Sequence, residues 1–165
     1  MNRVRALVVG APLALVAMVI LSVIGIAATA EEGGEDGKIQ NLAKRRKIAA
    51  HAFAKGKGTA KVLFDAESGA EELSMSEILL APGGEIPLRI DSDSATYIYL
   101  SEGAAKVTFR GRQRGMEPGD AAYIPAGTQW ALRAGGRLVP TRALIIHAKP
   151  GPEQRFRLGE VVPSE

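Results

Sequence analysis

The stretch of sequence that decides the fold runs Gly119-Asp120-Ala121-Ala122-Tyr123-Ile124-Pro125-Ala126-Gly127-Thr128-Gln129-Trp130. It contains a glycine turn, a short apolar strand and a Pro-x-Gly corner, and glycine and proline are the residues that most strongly mark turns between strands. The segment after the corner carries Trp130, the only tryptophan of the chain. The pattern predicts two short strands joined by a tight corner, with an indole on the second strand.

This spacing resembles the second sequence motif of the cupin superfamily, in which the position of Trp130 is normally a metal-binding histidine. The stretch 83–103 fits the frame of the first cupin motif, which carries two histidines and a glutamate. By position, the histidine sites fall on Arg89 and Asp91, and the glutamate site falls on Thr96. The resemblance therefore implies a cupin barrel in which all four usual ligand positions are altered.

The altered positions remove the family's usual chemistry. Neutral imidazole is a favoured ligand of transition metals, whereas an arginine is a permanent cation and an indole N–H is only a donor. Arg89, Thr96 and Trp130 are therefore poor ligands or none at all. We expect no bound metal and no other cofactor.

The rest of the chain beyond position 58 is also typical of strands. Short apolar or alternating runs are separated by Gly, Pro, Asp and Ser clusters at fairly even spacing, with no convincing helix between them. Such a pattern indicates an all-β sandwich or barrel, and the jelly roll is the cupin form of it. We predict a single cupin-type jelly-roll β-barrel over 58–158, with strands at 61–64, 73–80, 96–100, 104–109, 121–124, 129–133 and 142–148.

The first thirty residues resemble a secretory signal peptide. Arg3 and Arg5 precede a long uncharged apolar run, which ends at the small-residue signature Ala28-Thr29-Ala30. We predict export to the periplasm or the medium after cleavage. An uncleaved membrane anchor is the alternative, because about 20 apolar residues span a bilayer. Residues 31–57 are predicted to be a flexible linker and a short N-terminal arm, and 159–165 a C-terminal tail.

Composition excludes several function classes. The chain has no cysteine, so disulfides and thiol catalysis are excluded. Without Arg3 and Arg5 the chain keeps 19 basic and 18 acidic side chains, so the basic balance of the full sequence gives no reason to expect a nucleic-acid partner. No nucleophile elbow, phosphate loop or zinc spacing is present.

Two hypotheses remain open for the barrel interior. In the first, Trp130 fills the volume of the absent metal and its ligands, while Arg89 and Asp91 lie in a solvated loop. In the second, the cavity persists and Arg89, Asp91, Thr96 and Trp130 bind a sugar or an organic acid, because a planar arginine grips carboxylates and an indole stacks on rings. Both hypotheses predict a non-enzymatic module for small-ligand binding or for structure.

The runner-up is a metal-dependent cupin enzyme, an oxygenase or isomerase with atypical ligands. It requires substitute ligands from Asp91, Asp93, Glu85 and His147, since carboxylates suit Mg, Ca and Mn. A lone strand histidine such as His147 is, however, more typical of a hydrogen-bonded edge residue than of a catalyst. Its direction is left open, because its parity matches Arg142 or Leu144 only in a bulged strand.

Three further features are interpreted as structural or as surface features. His51 lies outside both motifs, and the run Lys44-Arg45-Arg46-Lys47 is expected to be the solvated face of a short helix or arm, with contact to anionic lipid or cell-wall polymers as the alternative. Arg110, Arg112 and Arg114 surround a predicted hairpin turn. Cupin barrels often pair through their sheets, so the resemblance also implies a possible homodimer.

Overall fold

The computed structural model describes residues 42–163, and these residues form an all-β fold of eleven strands with almost no helix. The strands are β1 (Ala50–Phe53), β2 (Gly58–Phe64), β3 (Ser74–Leu80), β4 (Glu85–Ile90), β5 (Thr96–Glu102), β6 (Ala105–Phe109), β7 (Arg112–Met116), β8 (Ala121–Ile124), β9 (Gln129–Ala134), β10 (Thr141–His147) and β11 (Val161–Val162). The helical turns are three 3-10 turns and the four-residue helix α1 (Gln154–Arg157). The predicted all-β class is confirmed.

The strands form two antiparallel sheets in a jelly-roll arrangement. A seven-stranded sheet has the order β11-β1-β2-β3-β10-β5-β8, and a four-stranded sheet has the order β4-β9-β6-β7. Because β1 and β11 belong to the larger sheet, its strand pairing extends beyond 58–158 on both sides. The predicted signal peptide or anchor at 1–30 and most of the predicted linker lie outside the described residues. No helix within 42–163 is long and apolar enough to cross a membrane.

The core lies between the two sheets and follows the alternation of side chains along each strand. On β5, Thr96, Ile98 and Leu100 are buried, whereas Tyr97 and Tyr99 are exposed, as the sequence predicts. Buried residues of both sheets form one continuous hydrophobic cluster. The sheets therefore enclose a single interior, and the inward positions at one end of it form the site described below.

A bulge in β4 sets the direction of Arg89. Ile86 pairs with Leu132 of β9, and Arg89 pairs with Trp130, so three steps along β4 match two steps along β9. Pro87 lies within this irregular stretch and has no backbone N–H to donate. The bulge returns Arg89 to the inner face beside the indole, where its side chain is only 8% exposed.

His147 also points inward. Its strand β10 lies between β3 and β5 rather than at an edge, and His147 pairs with Ser74 on one side and Thr96 on the other. The buried positions of β10 are Thr141, Ala143, Ile145 and His147, so the histidine has the parity of the odd-numbered residues without a bulge beside β3. The interpretation of His147 as an edge residue is therefore wrong.

Candidate functional site

Asp91 is the centre of the buried site and follows directly after β4. One carboxylate oxygen, Oδ2, accepts hydrogen bonds from Trp130 Nε1 at 2.9 Å and from Thr96 Oγ1 at 3.2 Å. The other, Oδ1, accepts from Arg89 through Nη2 at 3.0 Å and Nε at 3.2 Å. The four positions predicted from the sequence therefore meet at one carboxylate. Trp130 and Thr96 are fully buried, and Asp91 is 4% exposed.

Neighbouring groups stabilise the negative charge of the buried Asp91 carboxylate. Burial alone raises the pKa of a carboxyl, but the Arg89 guanidinium and the Trp130 N–H lower the pKa of Asp91 below its usual value. Burial also lowers the pKa of Arg89, although Asp91 opposes that effect. The pair is ionised at neutral pH, and each partner neutralises the charge that the other carries into the core.

Aromatic rings hold the guanidinium of Arg89. Its carbon Cζ lies 5.2 Å from the ring centroid of Trp130 and 5.6 Å from that of Phe156, within the range of cation–π attraction. Nη2 also donates to the Pro152 carbonyl at 3.2 Å. Trp130 is thus both a hydrogen-bond donor to Asp91 and a packing surface for Arg89.

His147 lies next to this cluster and is uncharged at neutral pH. Burial is the main cause that lowers its pKa to about 4, against an opposing attraction from Asp91. Nε2 lies 3.7 Å from Asp91 Oδ2 and has no hydrogen-bond partner among the described residues. On the other side, Nδ1 lies 3.4 Å from Ser74 Oγ, which donates to Glu153 Oε2 at 2.7 Å.

The C-terminal segment closes the site. Glu153 is fully buried and accepts from the Gly151 backbone N–H at 2.7 Å as well as from Ser74. Phe156 of α1 is 3% exposed and packs on Arg89. Arg157 anchors α1 through an ion pair with the buried Asp65 at the end of β2. These contacts seal the interior, and sequence reasoning missed all of them.

These positions bear on two of the predicted alternatives. Trp130 does fill the interior, as the first hypothesis expected, but Arg89 and Asp91 are buried rather than solvated. Of the four substitute ligands, only Asp91 and His147 come together. Glu85 and Asp93 are exposed, so the predicted carboxylate set does not form.

A cleft remains open on the side of the barrel, between the edge strands β7 and β8. Its volume is about 280 Å³, and Val107, Phe109, Met116 and Ile124 form an apolar floor. Phe109 pairs with Trp130 across β6 and β9, so the cleft adjoins the buried cluster. Arg114 lines it on β7 and shares a strand face with Val107, its partner on β6.

Arg45 and His51 have structural contacts. Residues Arg45–Lys47 form a 3-10 turn, and Arg45 binds Glu77 with an N–O distance of 2.8 Å. His51 Nδ1 lies 3.2 Å from the Gly159 carbonyl oxygen, which ties β1 to the C-terminal end. The predicted hairpin turn is confirmed at Arg110 and Gly111, both of which have positive φ between β6 and β7.

Two facing sheets that enclose a polar cluster at one end define a cupin-type β-barrel, and comparison with known proteins agrees. The family model for the cupin domain matches residues 76–147. The tetracenomycin polyketide synthase protein TcmJ of Streptomyces glaucescens is 30% identical over 142 residues, covering 82% of this chain and 92% of TcmJ. The chain belongs to the cupin superfamily.

Solved structures share the fold at lower identity. A predicted oxalate decarboxylase from Thermotoga maritima superposes with a TM-score of 0.61 at 14% identity, covering 66% of this chain and 98% of that one. The polyketide cyclase RemF from Streptomyces resistomycificus superposes with a TM-score of 0.57 at 24% identity, covering 68% and 82%. These similarities support the architecture alone.

The residues present do not fit the metal ion that the cupin fold usually holds. Arg89 and Trp130 place a guanidinium and an indole N–H donor around Asp91, where a cation needs electron-pair donors. Both oxygens of Asp91 already accept hydrogen bonds. Within residues 42–163, no group of three or more His, Cys, Asp or Glu side chains is arranged to hold a metal.

Proposed function

We propose that this chain is a metal-independent cupin module that binds a small organic acid and is not an enzyme. One observation carries the proposal: Asp91 accepts hydrogen bonds from Arg89, Thr96 and Trp130, the three other positions at which the family frame has metal ligands. An internal ion pair supplies the charge balance that a metal would provide. The buried cluster then serves as a rigid wall of the barrel.

The side cleft is the binding place that best suits such a module. Ligand sites are mostly apolar with a few placed polar groups, and the cleft combines an apolar floor with the cation of Arg114. Asp120 also lines the cleft, and its Oδ2 accepts a hydrogen bond from the Glu117 backbone N–H at 2.8 Å. An apolar ring fits against Val107 and Phe109, and a carboxylate fits the guanidinium, which is a natural partner for it. With about 280 Å³ the cleft suits a small ligand. The buried cluster of Arg89, Asp91, Thr96 and Trp130 then supports the cleft from the barrel interior. The support acts through Phe109, which lines the cleft and pairs with Trp130.

The proposal includes export of the protein from the cytoplasm. The basic start, apolar run and cleavage signature within 1–30 support a role outside the cytoplasm, after cleavage or on an uncleaved anchor. N-terminal sequencing of the protein recovered from producing cells distinguishes the two. A start near position 31 supports cleavage, and an intact Met1 in the membrane fraction supports anchoring.

Titration calorimetry with 2-naphthoate tests the ligand class, with 2-naphthamide and D-glucose as comparisons. We expect naphthoate to bind, the amide to bind at least about tenfold more weakly, and Arg114→Gln to abolish that difference. Arg46→Gln removes the same charge outside the cleft and should leave binding unchanged. Preference for glucose, or for the amide, would contradict the organic-acid assignment.

A second function has one observation in its favour. TcmJ is named as a polyketide synthase protein, and its 30% identity spans most of this chain. The second candidate is therefore a cupin enzyme that acts on a polyketide, with the cleft as the place where the substrate enters. Such an enzyme would have to work without the family's ligand set, because Arg89 and Trp130 occupy two of its positions. Turnover of an aromatic polyketide by the purified protein would favour it over the binding module.

A further inference from the structure

A second cavity lies on the outer face of the four-stranded sheet, opposite the barrel interior. Its volume is about 510 Å³, and its cationic lining residues are Lys106, Arg133 and Arg137. Lys106 and Arg133 point outward because their neighbours Val107 and Leu132 are buried in the core. This cavity is therefore separate from the cleft and from the Asp91 cluster.

The three cations line the same cavity and form no ion pairs. Lys106 of β6 lies directly opposite Arg133 of β9, and like charges in that relation destabilise a sheet. No carboxylate lines the cavity, and none of the ion pairs within residues 42–163 involves Lys106, Arg133 or Arg137. Glu85 lies opposite Arg133 on the other side, yet the two make no ion pair. The sheet thus carries a cluster of three cations that take part in no ion pair, with Glu85 as the neighbouring negative charge.

Neighbouring positions leave room for a ligand beside this cluster. Gly115 faces Lys106 from β7, and a methyl group added there would meet nothing within 4 Å. Gln113 contributes an amide that both donates and accepts hydrogen bonds. On the far side the loop folds tightly at Gly136, where an added Cβ would lie 2.9 Å from the Val139 carbonyl oxygen, and Arg137 follows it.

We propose that this cavity binds a small molecule that carries two or more phosphate groups. Arginine grips phosphate oxygens with two parallel N–H groups, and lysine adds a mobile point charge, so the pair Arg133 and Lys106 can hold one phosphate. Arg137 reaches a second anionic group from the loop. A volume of about 510 Å³ is larger than inorganic phosphate needs and suits a phosphorylated organic molecule.

Calorimetric titration of the full-length protein with inorganic pyrophosphate tests the proposal, with inorganic phosphate and citrate as comparisons. We expect pyrophosphate to bind more tightly than phosphate, and Lys106→Gln or Arg133→Gln to weaken it about tenfold or more. Glu85→Gln should tighten it slightly, because it removes a negative charge near Arg133. Binding should weaken steeply with added salt, since these charges are exposed.

Arg46→Gln is the matched control, because it removes one exposed cation outside the cavity. It should leave the pyrophosphate affinity unchanged within about twofold. Circular dichroism of each variant shows whether the fold is kept, which these exposed positions should allow. The proposal is overturned if pyrophosphate does not bind the wild-type protein, if citrate binds more tightly, or if Arg46→Gln weakens binding as much as Arg133→Gln.

Discussion

The indole of Trp130 donates its Nε1 hydrogen to Oδ2 of Asp91 across 2.9 Å inside the barrel. Both residues stand where the cupin frame places metal-binding histidines. A donor and an acceptor at these positions satisfy each other, whereas two histidines would both offer lone pairs to a cation. The contact therefore joins the two family motifs directly.

The charge of Asp91 should be essential for stability. Asp91→Asn keeps an acceptor for Trp130 but leaves the Arg89 guanidinium buried without its counterion. Removing one partner of a buried pair costs about 3–5 kcal/mol, and we expect a loss of that order in urea unfolding. Asp93→Asn is the control two residues away, and because Asp93 is exposed it should change stability by less than about 0.5 kcal/mol.

A double-mutant cycle separates the ion pair from the other contacts of Asp91. Arg89→Met combined with Asp91→Asn removes both charges, and the thioether chain still packs between the Trp130 and Phe156 rings. We expect the double variant to lose clearly less stability than the sum of the single losses. Additive losses would show that the two residues do not act as a pair.

The indole N–H should contribute measurably beside its packing. Trp130→Phe leaves Asp91 without its shortest hydrogen bond and opens space in a fully buried position. We expect a loss of about 2–4 kcal/mol in urea unfolding followed by circular dichroism. Tyr99→Phe, on the exposed face of β5, should have little effect. Equal stability of Trp130→Phe and wild type would show that the hydrogen bond does not contribute to the free energy of unfolding.

Trp130 also reports directly on the closed interior, because it is the only tryptophan. Its side chain is fully buried, so its emission should be blue-shifted and acrylamide should quench it far less than free N-acetyltryptophanamide. Arg157→Ala removes the anchor of α1 to Asp65 and should increase the quenching. Strong quenching of the wild-type protein would contradict the sealed interior.

Stability should fall as the pH drops from about 6.5 to about 4. The pKa of His147 is lowered to about 4 by burial, so in this window the unfolded chain binds a proton that the folded protein does not. The loss amounts to about 3 kcal/mol in total and levels off below the folded pKa. Asp91 and Asp65, whose pKa values are lowered in the fold, add a further loss as the pH falls below about 4.

Urea midpoints measured across this range test the assignment. His147→Gln should flatten the slope between pH 6.5 and 4 while lowering stability at neutral pH. His51→Gln removes the other histidine, outside the buried cluster, and should keep the wild-type slope. A slope that disappears in His51→Gln but persists in His147→Gln would assign the effect to the wrong residue.

Much of the fold follows from the sequence because local rules decide it. The alternation of buried and exposed side chains in β5, and the turn at Arg110 and Gly111, depend on residues that are close in the chain. The four site positions also meet as the motif frame predicts, since strand register carries them to one place. The hydrogen bonds that these four side chains form could not be predicted from the sequence, because they depend on which side chains face each other in the folded protein.

The strands predicted from the sequence do not include β4 and β7, because both lack the patterns on which sequence reasoning depends. Strand β4 contains Pro87 and a bulge, which break the period of two. Strand β7 is an exposed edge strand, and its arginines leave no alternation of apolar and polar residues. Charges on an edge strand also disfavour pairing with other chains. Glu153 meets Ser74 from 79 positions away, and no local feature of either residue signals that contact.

The metal content of the protein tests the central claim most directly. Elemental analysis of protein purified without chelators should find no stoichiometric Fe, Mn, Ni, Cu or Zn, because Arg89 and Trp130 stand where a metal would need ligands. Trp130→His should not change that result, since the guanidinium of Arg89 remains beside Asp91. A near-stoichiometric transition metal in the wild-type protein, lost together with binding or activity on chelation, would contradict the account.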